Sequence, residues 1–270
     1  MNVLTGSELK KMMPLYDLYD SNQAIIYSIF ENQFEGYVYT DDKDNPHWAV
    51  LRTPFLQHFI AGTPAGSCEV VIDEILFDRI LAEQTEKEIA VFAVSEKWHD
   101  ILNGVFENRK GVSDRRKIFE FNHDKYMRIH RRAIPDDVVS MLDLRKCSPE
   151  SHIDTWSARI YVKDREVSHC NAFMIGKGMA EIDVGTDEGF QNKGYATQAA
   201  ILLIDKLIET DLTPAWSTWP FRVESQHIAK KLGFDEKPDA KAWIWMENME
   251  SPVQKKEDLS CKTHWGSGSG

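Results

Sequence analysis

The sequence has few cysteines and no long apolar run. Its four cysteines, Cys68, Cys147, Cys170 and Cys261, are scattered, with no CxxC pair and no histidine at ligand spacing. This pattern indicates free thiols in a reducing compartment and predicts neither a disulfide framework nor a zinc site. No apolar segment approaches the roughly 20 residues of a membrane span, and the first residues lack the apolar core of a signal peptide. We therefore expect a cytoplasmic protein.

The sequence also has fewer basic than acidic residues. The 32 Lys and Arg residues are outnumbered by 43 Asp and Glu residues, which gives a net charge of −11 and a pI near 5.3. This balance disfavours non-specific binding to nucleic acid or to anionic membranes. The basic residues between 109 and 132 are interpreted as a solvated face or an interdomain contact. The hydrophobic content of 42% is ample for a core, and 270 residues allow one large or two smaller domains.

The first half of the chain mixes strands and helices. Helical periodicity is found in the first twenty residues, in SNQAIIYSIFENQ and in EVVIDEILFDRILAEQ, whereas EGYVYT, HWAVLRT, FLQHFIA, IAVFAVS and RRKIFEFN are typical of strands. Ser95 is expected to cap the helix EKWHDILNGVF. Residues 133–150, bracketed by Pro135 and Pro149, are predicted to be a connector with one short helical piece.

The second half has a clearer order. ARIYVKD, SHCNAFMIG and MAEIDVG predict a meander of three strands. A helix over GYATQAAILLIDKLIET, a strand over PAWSTW, a helix over ESQHIAKKLGF and a last strand over AWIWM follow. Residues 250–270 are polar and predict a disordered tail that ends in a linker-like GSGSG.

A polar segment, QNKGYAT at 191–197, joins a predicted strand to this long apolar helix. The first turn of a helix has backbone N–H groups without intrahelical partners and a partial positive charge, so it suits a phosphate. Gly194 allows the backbone to turn close to a bulky anion, Ala196 keeps the next turn narrow, and Lys193 adds charge at the rim. The spacing matches neither a Walker loop nor the GxGxxG fingerprint. The segment predicts an anion site of another kind.

The spacing of Gln191, Gly194 and Ala196 resembles the pyrophosphate loop of the GNAT acetyltransferases, whose pattern is Arg/Gln-x-x-Gly-x-Gly/Ala. SQHIAKKLGF resembles the family's second motif, Asn-x-x-Ser-x-x-x-Ala-x-Lys-Leu-Gly-Phe, except that Arg222 occupies the Asn position and cannot copy the amide's acceptor. The two motifs in this order make the resemblance specific over residues 155–247. The similarity is greatest to a GNAT subgroup with an additional N-terminal domain, which includes the zwittermicin A resistance acetyltransferase.

The resemblance implies a binding site for acetyl-CoA. In the family, the strand before the loop bulges and splays from its neighbour, so that the pantetheine amides pair with exposed strand groups like an added strand. AEIDVGT corresponds to that strand, and PAWSTW corresponds to its splayed partner. The coenzyme-binding residues that the resemblance implies are Val184, Gly185, Thr186, Gln191, Asn192, Lys193, Gly194, Tyr195, Ala196, Thr197 and Arg222.

The resemblance also implies direct transfer without an acyl-enzyme intermediate. Alternation places Glu181, Asp183 and Gly185 on one face of their strand, and leaves open which face meets the cleft. Glu181 is expected to be the general base, with Asp183 as second candidate; the alternative for Glu181 is a salt-bridged or merely solvated strand carboxylate. The backbone N–H of Val184 is expected to donate to the oxyanion. Ser225 is expected to protonate the thiolate, to cap its helix, or to do both.

The sequence thus predicts an α/β (α+β) protein with an N-terminal accessory domain at 1–140, a GNAT domain at 141–249 and a tail at 250–270. The resemblance implies a mixed, mostly antiparallel sheet with splayed central strands, flanked by helices. Both halves share a loose strand–strand–helix–strand–helix order. The accessory domain is therefore interpreted as a degenerate GNAT-like half that has lost its coenzyme site.

The expected reaction is transfer of acetyl from acetyl-CoA to a primary amine of a small molecule. Two alternatives stay open: a protein amine as the acceptor, and a non-catalytic acyl-CoA-binding or interaction module with the same fold. The expected partners are acetyl-CoA and the amine, without nucleic acid, membrane or metal. A homodimer is left open.

Overall fold

The computed structural model describes residues 1–66, 68–85, 87–132 and 135–247. The predicted disordered tail, 250–270, lies outside these residues. Contacts divide the chain into two compact units. Unit 1 comprises Met1–Ser21, Phe34–Arg116 and the segment from Asp239 onward, and unit 2 comprises Asn22–Gln33 and Lys117–Pro238. In the described part of the chain, no helix is long and apolar enough to cross a membrane.

The elements are numbered in chain order. The strands are β1 (Asn2–Leu4), β2 (Tyr37–Thr40), β3 (Trp48–Arg52), β4 (Gln57–Gly62), β5 (Glu88–Ala93), β6 (Val112–Phe121), β7 (Val138–Arg145), β8 (Thr155–Val162), β9 (Arg165–Gly176), β10 (Met179–Thr186), β11 (Thr213–Thr218) and β12 (Phe234–Met246). The α-helices are α1 (Met13–Tyr16), α2 (Gln23–Phe30), α3 (Cys68–Asp73), α4 (Leu81–Glu83), α5 (Glu96–Asn108), α6 (His123–Tyr126), α7 (Tyr195–Glu209) and α8 (Val223–Lys231). A 3₁₀ segment, Gly6–Met12, precedes α1, and a π-helical segment, Glu74–Ile80, joins α3 to α4.

Unit 1 is a sheet in the order β1-β2-β3-β4-β5-β12 with helices packed on it. β4 and β5 are parallel, and the other neighbouring strands are antiparallel. Apolar side chains of the strands and of the helices α3 and α5 form one buried cluster, which includes Trp98, Leu102 and Trp243. Trp243 donates its indole N–H to Asn103 Oδ1 at 2.9 Å, so its polar atom is satisfied within the core.

Unit 2 is a sheet in the order β6-β11-β10-β9-β8-β7, in which β10 and β11 are parallel and the other neighbours are antiparallel. One face packs on α7. Alternate strand residues, including Ala158, Cys170 and Ile182, meet the small buried side chains of Ala199 and Ala200 there. These alanines allow close packing of the helix on the sheet. The first turn of α7 is thereby fixed at the end of β10.

The opposite face of the same sheet is polar. Ser157, Asn171 and Asp183 lie side by side on β8, β9 and β10, and the next row is formed by Arg159, His169 and Gly185. We call these six residues and their partners the polar face. A β-bulge lies in β9, where the register with β10 skips Phe173. Because β10 itself is regular there, Glu181 and Asp183 point to the same side of the sheet. The carboxylates predicted to share a face therefore do so, on the face opposite α7.

Helix α2 belongs to unit 2 because it lies directly on β9 at Gly176. A Cβ atom added there would be 2.4 Å from the backbone nitrogen of Ser28 and 2.7 Å from the carbonyl oxygen of Ala24. Only glycine permits such a close approach of two backbones. Every α2 residue from Ala24 to Phe30 is buried.

Each unit is built from separate segments of the chain. α2 lies on β9 of unit 2, and the end of β12 pairs with β5 of unit 1 from Ala242 to Met246. Strands β6 and β12 each contribute residues to both units.

One local prediction was wrong, and two were confirmed with a difference in detail. The expected connector at 133–150 contains a full strand, β7, which pairs with β8 over eight residues, because strand pairing outweighs its weak helical pattern. The helix predicted over EVVIDEILFDRILAEQ is present, and its middle is a π segment that buries Ile75, Leu76 and Phe77 in succession. Ser95 is the N-cap of α5, as predicted, although its side chain makes no capping hydrogen bond.

Candidate active site

β10 and β11 run side by side only at their beginnings. Their parallel pairing covers Met179↔Thr213, Ala180↔Pro214 and Glu181↔Ala215, while β10 continues to Thr186 and β11 to Thr218. The two strands therefore diverge after Glu181. This divergence is the splay that the resemblance implied, although the bulge at this level lies on β9 rather than on β10.

The backbone of β10 presents polar groups to the open side of the splay. The amide N–H of Thr213 donates to the carbonyl of Gly178 at 2.9 Å, so the even-numbered residues of β10 direct their peptide groups towards β11. The odd-numbered residues face β9, as shown by the 2.7 Å bond from the Ser168 hydroxyl to the Gly185 carbonyl. The N–H of Val184 and the peptide groups of Thr186 therefore point into the gap, while Gly185 pairs with β9.

The predicted anion loop leads from β10 into α7. Gln191, Asn192 and Lys193 are exposed, and Gly194 is the N-cap with a left-handed φ of 89°. The first intrahelical bond runs from the Gln198 N–H to the Gly194 carbonyl at 3.1 Å, so the amides of Tyr195, Ala196 and Thr197 precede the helical ladder.

This loop fits a phosphate in three respects. No acidic residue lies in the first turn of α7. Nothing lies within 4 Å of a Cβ atom added to Gly194, so the space before the helix is free. Two cationic side chains lie near the loop's aromatic ring, with Lys193 Nζ 4.7 Å and Arg165 Cζ 5.3 Å from the centre of Phe190.

Glu181 lies where the splay begins, on the polar face. It is only 5% exposed, and its carboxylate accepts a hydrogen bond from the Ser217 hydroxyl of β11. Sequence reasoning did not identify Ser217, which follows Ala215, the partner of Glu181, by two residues. Alternation on the partner strand is the signal that would have found it.

Asp183 is more accessible than Glu181 and has a histidine neighbour. Its Oδ2 lies 3.8 Å from His169 Nε2, and its side chain is 31% exposed. The imidazole of His169 also lies against Gly185, where a Cβ atom would be 2.7 Å from Cε1 of the ring. Sequence reasoning missed His169 because it belongs to β9, fourteen residues before Asp183.

Ser225 and Arg222 lie at the start of α8. Arg222 itself is the N-cap, and Ser225 follows in the first turn, so the expectation that Ser225 caps the helix was wrong. The Ser225 hydroxyl oxygen instead accepts from the indole N–H of Trp216 at 3.1 Å, which leaves its own proton available for donation.

The described residues contain no group of three or more His, Cys, Asp or Glu side chains arranged to hold a metal ion. The described cysteines, Cys68, Cys147 and Cys170, are free thiols. Burial raises the pKa of Cys170 well above its usual value, and the Asp183 carboxylate contributes, so this thiol is unreactive.

Unit 1 repeats the order of unit 2, and its corresponding strands are β4 and β5. They pair from Gln57↔Ala90 to Ile60↔Ala93, where β5 ends. The hydroxyl of Tyr19, which is buried, lies 2.7 Å from the carbonyl oxygen of Ile60 and 2.8 Å from that of Phe92. Tyr19 therefore bridges β4 and β5 at the position that corresponds to the divergence of β10 and β11 in unit 2.

The chain is similar to known proteins over most of its length. The family model described as GNAT acetyltransferase matches residues 17–158 and 157–242. "Uncharacterized N-acetyltransferase YdfB" of Bacillus subtilis (strain 168) is 22% identical in an alignment of 254 positions that covers 87% of this chain and 95% of that protein. These similarities do not test the narrower resemblance to the zwittermicin A resistance subgroup, which stays a prediction.

Solved structures show the same fold. A GCN5-related N-acetyltransferase-like protein from Streptococcus suis 89/1591 superposes with a TM-score of 0.65 at 18% identity, over 89% of this chain and 100% of that chain. A tandem GNAT protein from the clavulanic acid biosynthesis pathway gives a TM-score of 0.57 at 7% identity, over 88% and 94% of the two chains. At these sequence identities, both similarities show that the chain shares the fold of these proteins.

Proposed function

The chain belongs to the GNAT acetyltransferase family, and we propose that it transfers acetyl from acetyl-CoA directly to a primary amine of a small molecule in the cytoplasm. The observation that carries the proposal is the divergence of β10 and β11 after Glu181, with the first turn of α7 at the end of β10. A splayed strand pair and a free helix N-terminus together suit an extended ligand that ends in phosphates.

The coenzyme is proposed to bind along β10 and the loop after it. The amides of residues 194–197 and the side chains of Gln191, Asn192 and Lys193 would hold the pyrophosphate. The peptide groups of Val184 and Thr186 would pair with the pantetheine amides, beside Gly185. Arg222, at the N-cap of α8, would contribute charge to the phosphates in place of the family's amide contact.

Three groups are proposed to promote the reaction, for which acetyl-CoA supplies a thioester carbonyl. The Val184 N–H donates to the carbonyl oxygen as negative charge develops on it. Glu181, with Asp183 as the second candidate, takes the proton of the acceptor ammonium, so that the nitrogen can form the new C–N bond. The Ser225 hydroxyl protonates the departing sulfur. Its oxygen accepts the indole N–H of Trp216, so its own hydrogen is left to point elsewhere.

Calorimetry with acetyl-CoA and thiol release across a panel of amines test the proposal. We expect binding, and turnover with at least one small primary amine. Binding without turnover on any small amine would instead support a protein amine acceptor, to be tested with peptides, or a non-catalytic module. Absence of binding would refute the proposal.

A variant pair tests the anion loop. Gly194→Glu places a carboxylate at the start of α7, and we expect acetyl-CoA binding to be lost by repulsion of the phosphates. Gly178→Glu is the matched control. Gly178 also has a positive φ, of 69°, and open space around it, but it precedes β10 and lies outside the loop. Equal affinity of the Gly194→Glu variant and the parent would contradict the proposed loop.

A further inference from the structure

A base as buried as Glu181 needs a path by which its proton reaches solvent, and the polar face contains titratable side chains that form one. A carboxylate that is 5% exposed and takes a proton in each turnover must pass that proton to solvent. The face opposite offers no route, because apolar side chains such as Ile182 pack on α7 there. Any route must therefore run along the polar face.

The titratable side chains of the polar face lie in order of increasing exposure. From Glu181 the strand leads to Asp183, whose side chain is 31% exposed, then to His169 at 32% and Glu166 at 41%. His169 Nε2 is 3.8 Å from Asp183 Oδ2, and His169 Nδ1 is 3.9 Å from Glu166 Oε1. The imidazole thus lies between two carboxylates, with one nitrogen directed to each.

The position of His169 is fixed by its surroundings. The ring lies in the space that the missing side chain of Gly185 leaves. Arg159 lies beside it on β8 and is 5% exposed; its guanidinium is held by Asp143 at 2.8 Å, and its Nε is 3.6 Å from Glu166 Oε2. The charged groups that face His169 are therefore Asp183 on β10, Glu166 on β9 and Arg159 on β8.

We propose that His169 is a proton-relay residue, which accepts the acceptor's proton from the Glu181–Asp183 pair and passes it to solvent beside Glu166. Glu181 and Asp183 are two residues apart on one strand face, with Cα atoms about 7 Å apart, and water carries the proton between their carboxylates. The N–H bond of the ammonium breaks and its proton moves along this path. The freed electron pair forms the C–N bond as the C–S bond breaks, and the nitrogen then loses a second proton, which replaces the one that the Ser225 hydroxyl gives to the departing sulfur. The inference rests on the proposed acetyl transfer.

The relay matters only when the acceptor arrives protonated, and this gives a specific test. With an alkyl amine, which is an ammonium ion at neutral pH, we expect His169→Gln to lower kcat by roughly 10²-fold, the usual size of a general acid–base effect. With hydroxylamine, which is mostly uncharged at neutral pH, we expect less than about a threefold change. The calorimetric Kd for acetyl-CoA is expected to stay the same.

Two further variants separate a chemical role from a structural one. Gly185→Ala keeps the imidazole but displaces the ring, and we expect the same dependence on the acceptor. His169→Ala with added imidazole is expected to recover part of the lost kcat for the alkyl amine. His123→Gln, on α6 with a side chain that is 58% exposed, is the control and is expected to behave like the parent.

The outcomes distinguish the relay from the proposed function. Turnover of the parent with an unchanged kcat for His169→Gln, equal losses with both acceptors, or no recovery with imidazole would overturn the relay alone. A parent that binds acetyl-CoA but acetylates no amine would overturn the proposed function, and the relay with it.

Discussion

At the scale of single residues, Glu181 is deeply buried and its carboxylate accepts a hydrogen bond from the Ser217 hydroxyl. Glu181→Gln keeps the size of the side chain and removes its capacity to accept a proton. If Glu181 is the base, kcat should fall by roughly 10²- to 10⁴-fold while the Kd for acetyl-CoA is unchanged. Steady-state kinetics with the best amine, combined with calorimetry, measure both. Asp183→Asn is the matched comparison, and a larger loss in that variant would transfer the role to Asp183.

His58 gives unit 1 a distinct response to acid. It is fully buried, and burial followed by the charge of Arg52 lowers its pKa to about 3, from an ordinary value near 6.5. The unfolded chain therefore binds the proton more readily between these values, so stability is lost as the pH falls below about 6.5. Between pH 7 and pH 5 this loss should be about 2 kcal/mol.

Urea unfolding followed by tryptophan fluorescence at the two pH values measures this loss. His58→Gln does not titrate and can still accept from the Thr53 N–H, which donates to His58 Nδ1 at 3.3 Å. We expect the variant to lose less stability than the parent on acidification. An equal pH dependence of the two proteins would show that His58 is not the responsible group.

At the scale of elements, the contact between α2 and β9 depends on the absence of one side chain. Gly176→Ala would force a Cβ atom against the backbone of Ser28 and Ala24, which cannot rotate away. We expect a destabilisation of about 1 to 3 kcal/mol from this overpacking. Denaturant unfolding of the variant measures it.

Gly104→Ala in α5 is the control for this substitution. Its added Cβ would lie 3.2 Å from the end of the flexible Glu69 side chain, and alanine favours the helix. We expect this variant to be as stable as the parent or more stable. If Gly176→Ala behaved in the same way, α2 would not be held as closely as the structure indicates.

The elements also show what local sequence can specify. The loop and helix around Gly194 were predictable because their requirements, a left-handed turn and an apolar helix, lie within a few residues. The surroundings of Glu181 and Asp183 were not, because Ser217 and His169 come from neighbouring strands and meet them only through strand pairing. β7 was missed for the same reason, since its partner β8 specifies it more strongly than its own pattern.

At the scale of the whole molecule, two units share an order of elements but differ in one structural feature. In unit 2 the parallel strands diverge before their ends, whereas in unit 1 they pair to the end of β5 and Tyr19 bridges them. Burial raises the pKa of Tyr19 well above its usual value, so the hydroxyl stays a donor at all physiological pH values. The loop after β4 also lacks the Gln-x-x-Gly-x-Ala spacing.

We therefore expect one acetyl-CoA site in each chain. Because a coenzyme in unit 1 would have to replace the Tyr19 hydroxyl and separate paired strands, calorimetric titration of the parent should give a stoichiometry of one. In the Gly194→Glu variant the stoichiometry should fall to zero, whereas Gly178→Glu should retain one site. A stoichiometry of two, or a residual site in the Gly194→Glu variant that Tyr19→Phe strengthens, would show that unit 1 has kept a coenzyme site of its own.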